Sequence, residues 1–290
     1  AMQRSGMRWM KYQVRYLLGQ GPGDAVQAIN AARGSGFKIL IGAVGLPREM
    51  ASMGGAYNRE FANWAAQVAA AGADAIEVWN EPNLAREWPE GQISGGNYTN
   101  LLRETYIAVK AANPSTIVIS GAPAPTGAEA AFPGKVVNDD RFLREMVAAG
   151  SLQYTDCVGL HYNEGIVSPT QNSGDPRDNF YSRYMGTILN LYWNITGGQR
   201  PICITELGYL TREGYPDLPG SFSWAGATTV QQQAAWLAQA VSLASQSGQV
   251  SMLIVWNVDF TVYGGDPQGG YAIIRPGGAC PACDALALSR

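Results

Sequence analysis

Along this chain two hydrophobic periodicities take turns. Short, nearly continuous apolar runs of strand length are followed by longer stretches whose apolar positions recur at helical spacing. The strand-like runs fall at residues 7–16 (MRWMKYQVRY), 37–44 (FKILIGAV), 75–81, 116–121 (TIVISG), 156–161 (DCVGLH), 202–206 and 252–257 (MLIVWN). Helices are expected at 24–33 with Asp24 as cap, at 58–71 ended by Gly72, and at 97–112 closed by Asn113-Pro114. Further helices are expected at 139–149, 179–193, 230–247 and 283–288. Strands this apolar are buried on both faces and pair in parallel. Seven strands, each followed by a helix, favour a (β/α) barrel over an open doubly wound sheet, and the run from 1 to 290 shows no linker, so one domain is expected.

Two of the runs end in a glutamate. In residues 75–83, AIEVWNEPN, alternation places Glu77, Trp79 and Glu81 on one face of a strand and Ile76, Val78 and Asn80 on the other. Pro82 cannot donate to a sheet ladder, so the strand is expected to stop there. Residues 201–209, PICITELGY, have the same form and end at Glu206, with Gly208 just after. The carboxyl ends of parallel strands are where such folds keep their chemistry.

Composition narrows the chemistry. A formal net charge of −3 and the lack of a basic cluster give no footing for nucleic acid or an anionic membrane surface. No apolar run is long enough for a membrane span, and the first residues, AMQRSG, carry no signal-peptide apolar region, as in a processed, secreted form. With His161 as the single histidine, a histidine-built metal site is not expected; without a G-x-S-x-G elbow, neither is a Ser-His-Asp hydrolase. The lack of a G-x-G-x-x-G after the first strand argues against a dinucleotide, so no cofactor is expected. Cys157 and Cys203, inside apolar runs, read as buried free thiols; Cys280 and Cys283 read as a local disulfide or two thiols.

VWNEPN and ITELGY, in this order on barrel strands, resemble the clan of retaining glycoside hydrolases with catalytic glutamates on strands four and seven, which includes cellulase-, mannanase-, β-xylosidase- and iduronidase-like families. The resemblance spans nearly the whole chain. It implies a TIM (β/α)8 barrel acting on a β-linked carbohydrate, with Glu81 as general acid/base and Glu206 as nucleophile. Their carboxyl groups would then stand about 5 to 5.5 Å apart. It further implies that Asn80 contacts the sugar 2-hydroxyl, that Arg15 contacts the nucleophile, that His161 contacts substrate, and that Trp256 floors the sugar subsite. The clan's tyrosine two residues after that histidine is replaced here by Asn163. Trp88, Phe222 and Trp224 are candidate subsite walls, and Glu164, Asp259 and Asp266 candidate ligands for sugar hydroxyls. Glu77 reads as a buried, paired structural residue, and Trp79 and Trp236 as core.

Matched to the clan, the strand of Arg15 is the second of the barrel. The resemblance therefore implies that the first βα unit is missing from the chain, that residues 1–6 are the last turn of the preceding helix ended by Gly6, and that the open edge could self-associate. The alternative function is a non-catalytic carbohydrate-binding barrel.

Overall fold

The computed structural model describes residues 1–260 and 266–289. Seven strands and eight helices follow one another among them. The strands are β1 (Trp9–Arg15), β2 (Lys38–Val44), β3 (Ala75–Val78), β4 (Ile117–Ser120), β5 (Val158–Tyr162), β6 (Ile202–Leu207) and β7 (Val250–Val255). The helices are α1 (Gly23–Gly34), α2 (Pro47–Met53), α3 (Gly55–Ala70), α4 (Gly95–Ala112), α5 (Asp139–Ala148), α6 (Met185–Thr196), α7 (Val230–Gln246) and α8 (Pro281–Leu288). Every strand expected from the pattern is present. Helix α2 was not expected: its seven residues are too few to establish a helical period, and Pro at its start is the main signal it offers. Asp24 lies in the first turn of α1, and Pro22, not Asp24, takes the cap position. Helix α6 starts six residues later than expected, after a short 3-10 turn at Tyr181–Arg183.

Strands β1 to β4 pair in parallel in sequence order, and β5, β6 and β7 form a second sheet in sequence order. The end of β4 meets the residue before β5 through a parallel bridge, Ile119 to Cys157. The chain divides into two compact units, Trp9–Leu160 with Tyr192–Cys203, and Ala1–Arg8 with His161–Leu191 and Ile204–Arg290. They are called here the β1 unit and the β7 unit.

In the β1 unit, β2 buries every residue after Lys38. Helix α3 sets Tyr57, Phe61 and Trp64 at helical spacing against this sheet, and their rings meet those of Tyr16 and Trp79 at centroid distances of 5.3–6.4 Å. Ser94 caps α4 by accepting from the Asn97 amide. At the other extreme β1, the end strand of its sheet, buries only Val14 among its seven residues.

The β7 unit includes the first residues. Gly6 adopts φ +66°, Met7 N donates to Met2 O at 3.0 Å, and Gly6 N donates to Gln3 O at 3.0 Å. These two bonds and the left-handed glycine are a Schellman stop, so residues 1–6 form the helical turn ended by Gly6 that the sequence suggests. Later in the unit, Thr229 and Gln232 form a reciprocal capping box at the start of α7.

All four cysteines are paired, Cys157 with Cys203 and Cys280 with Cys283. The expectation of free thiols at 157 and 203 is thus corrected. Val158 N donates to Pro201 O, which sets the starts of β5 and β6 side by side and brings the two Cα atoms to 5.8 Å, within disulfide reach.

Candidate active site

The β1 unit supplies the first glutamate. Strand β3 stops at Val78, three residues earlier than the alternation suggests, because Trp79 and Glu81 adopt positive φ, +75° and +44°. Neither residue type enters that region without strain, typically about 1–3 kcal/mol each, and such outliers cluster at functional sites. The backbone is nevertheless pinned on both sides: Trp79 N donates to Ala43 O at 2.8 Å and Glu81 N to Ala122 O at 3.0 Å. Tyr98 of α4 adds a brace, donating to Val78 O and accepting from Gly121 N.

The kink redirects the side chains. Glu77 keeps its sheet face and forms a buried ion pair with Lys11 Nζ at 2.8 Å, in the structural role expected of it. Trp79 instead turns into the aromatic core, against Tyr57 and Phe61, and donates from Nε1 to Glu87 O. The expected shared face of Glu77, Trp79 and Glu81 therefore does not exist. Glu81, 7% exposed, pairs with the guanidinium of Arg86, which is itself mostly exposed. Asn80 is half-buried, and its Oδ1 accepts no hydrogen bond among the described residues.

Two further expected site residues belong to this unit. Trp88 is 3% exposed, with its ring against Trp79 and Tyr98 and its Nε1 bonded to Gln92 O, so it is a core residue and not an open wall for a sugar. Arg15, at the end of β1, is exposed and donates to Gly45 O at 2.7 Å.

Asn83 is the residue that sequence reasoning passed over. Fully buried, it donates from Nδ2 to the carbonyls of Ala124 and Val137 and accepts the Ala124 amide on Oδ1 at 2.7 Å. It thereby fastens the loop after β3 to the loop after β4 and holds Glu81 from its downstream side. Its position next to Pro82, in a run already singled out, was the available signal.

The β7 unit supplies the second glutamate. Glu206, the penultimate residue of β6, is 7% exposed, and His161 Nδ1 of β5 lies 3.7 Å from its Oε2. His161 is wholly buried and lies beside the carboxylate. Tyr162 turns away and donates to Arg183 O at 3.0 Å.

Trp256 follows β7, with its amide on Leu207 O and its Nε1 on Gln268 Oε1 at 3.0 Å; a cis peptide joins it to Asn257. Trp256, Trp224 and Phe222 all pack against a small buried cluster of Leu210, Ala225 and Tyr271. One face of Trp224 is taken by Arg177, whose guanidinium carbon lies 4.7 Å from the ring centroid. Arg177 is held by a forked bond to Asp175 and a bond to Glu164 O. Glu164 pairs with Arg183, and Asp266 accepts the Gln268 amide in its own turn, so both have local partners. Asp259 is exposed, and Trp236 is half-buried against Tyr209.

No protein-family model matches the chain, and no curated protein matches it. Solved structures do. A GH128 subgroup II endo-β-1,3-glucanase from Sorangium cellulosum aligns with 100% of this chain and 93% of its own, at TM-score 0.64 and 15% identity. The GH53 catalytic domain of Ignisphaera aggregans aligns with 99% of this chain and 87% of its own, at TM-score 0.68 and 17% identity. A GH5 xyloglucan-specific β-1,4-glucanase from a ruminal metagenomic library aligns with 99% and 84%, at TM-score 0.58 and 13% identity. The chain has the parallel α/β fold of the TIM-barrel glycoside hydrolases.

Proposed function

We propose that this chain is a retaining O-glycoside hydrolase acting on a β-linked oligo- or polysaccharide by double displacement. One observation carries the reading: two nearly buried glutamates, Glu81 and Glu206, stand at the carboxyl ends of parallel strands in a fold shared with glucanases. A buried carboxyl group at such a position is costly unless it has a task, and this fold keeps its chemistry there.

In the first step the Glu206 carboxylate attacks the anomeric carbon while Glu81 gives its proton to the departing glycosidic oxygen, leaving a glycosyl ester on Glu206. In the second step Glu81, now ionised, takes a proton from water; that water attacks the anomeric carbon and frees Glu206, with net retention. His161 orients the Glu206 carboxylate, and Arg86 favours the ionised form of Glu81 until substrate displaces its exposed side chain. Asn80, with its buried Oδ1 awaiting a donor, takes a sugar hydroxyl, and Trp256 lays its ring under a pyranose. The two disulfides suit work in an oxidising compartment.

The test is a pair of variants assayed on aryl glycosides. Glu206→Gln should abolish turnover on every substrate. Glu81→Ala should keep substantial activity on dinitrophenyl glycosides, whose leaving group needs no proton, and azide should restore its second step as a glycosyl azide. Equal loss in both variants without azide rescue would remove the assignment.

A further inference from the structure

The loops after β3 and β4 enclose a cleft of about 390 Å³ in the β1 unit, a size within the usual range for small-molecule sites. Its wall is built next to Glu81. Leu84, whose amide bonds Glu81 O, forms an antiparallel bridge with Val136; Val137 N donates to Asn83 O, and Ala85 N donates to Lys135 O. The cleft and the glutamate therefore share one rigid loop pair, anchored by buried Asn83.

The lining has two characters. Ile93, Pro133, Val136 and Val137 present apolar surface, while Glu129 and Arg141 form an ion pair at 3.2 Å on the rim. Glu129 is fixed in place, since its Oε2 accepts the Asn138 amide and its own amide donates to Asn138 Oδ1. Arg141 also faces Glu145, at 3.6 Å. Two carboxylates around one guanidinium disfavour an anionic ligand and offer both acceptors and donors, as vicinal hydroxyls require. The apolar wall suits the C–H face of a pyranose. Gly134 and Gly91, both at φ +76°, line the cleft, and no atom lies within 4 Å of where their Cβ would be. Phe132, beside lining residue Pro133, is 55% exposed and adds an aromatic surface next to the opening.

We propose that this cleft is a sugar-binding subsite that holds an uncharged oligosaccharide on the leaving-group side of Glu81. It rests on the glycosidase reading for that orientation, but the binding itself can be tested without catalysis.

The experiment uses the full chain with Glu206→Gln, methyl-labelled at Ile and Val, titrated with cellopentaose, laminaripentaose and mannopentaose. At least one should shift the methyls of Ile93, Val136 and Val137. Ala130→Trp, which adds bulk at an exposed lining position, should weaken that pentaose about tenfold or more, and Arg141→Ala should weaken it too. In otherwise native protein, Ala130→Trp should lower turnover of the matching pentaose while leaving aryl monoglycosides within about twofold. Thermal melting checks that both variants fold. The subsite is overturned if no pentaose moves those methyls, or if Ala130→Trp leaves pentaose affinity and turnover unchanged. Native protein that hydrolyses neither aryl glycosides nor the pentaoses, yet shows pentaose-induced shifts in the cleft, would sink the glycosidase reading and leave the binding site standing.

Discussion

At the scale of single residues, the glutamates divide by what lies beside them. Glu77 and Lys11 have side chains only 1% and 6% exposed and are joined at 2.8 Å, so removing one partner strands a charge in the interior. Lys11→Met is expected to cost about 3–5 kcal/mol, read as a lower urea midpoint with unchanged slope. Lys11→Met with Glu77→Leu should recover most of that loss, since a buried pair can be replaced by apolar groups at little cost. A double variant no more stable than the single one would show that Glu77 serves something besides the pair. Only four residues further on, Glu81 lies beyond a backbone kink and is paired with the exposed side chain of Arg86 rather than with a buried cation. Sequence alone singled out both glutamates and read Glu77 as a buried, paired residue, as it is. It could not foresee the positive φ at Trp79, because alternation assumes that the strand stays regular to its end.

At the scale of elements, the strands were legible to within about three residues at each end, since for β2 to β6 burial on both faces leaves a continuous apolar signature. Loop aromatics were not. Trp88 and Trp224 look alike in sequence, yet one is sealed against Trp79 and Tyr98 and the other is capped by Arg177. The loop after β5 is also where pH should act. Burial pushes the Asp175 carboxyl up, but hydrogen bonds and charge from Arg177 more than offset this and leave it below its usual range. A carboxyl lowered on folding adds stability above its unfolded value of about 3.9, and that contribution is lost as pH falls through the folded value. Asp175→Asn should therefore lower the urea midpoint at pH 7 and flatten its decline below about pH 4. Parallel curves for the two proteins would mean that the Arg177 contact adds nothing to stability.

At the scale of the whole molecule, the Cys157–Cys203 bond is the clearest long-range tie, closing a separation of 46 residues. In the chain-entropy description a loop of that length contributes about 4 kcal/mol. Replacing both cysteines by alanine should lower unfolding stability by an amount of that order, whereas replacing Cys280 and Cys283, only three residues apart, should matter much less. Urea unfolding of the two double variants, with and without reductant, measures the difference, and an equal loss in both would contradict it.

What the sequence determined by itself is the order of elements, their parallel character, and a glutamate at or just beyond the carboxyl end of two strands. These follow from local periodicity, which needs no partner to be known. The partners belong to the tertiary structure alone. His161 beside Glu206, Asn83 across two loops, and Cys157 bound to Cys203 all depend on which strands and loops become neighbours. Adjacency is set by the packing of the entire chain, and a periodicity of two or of 3.6 residues carries no record of it.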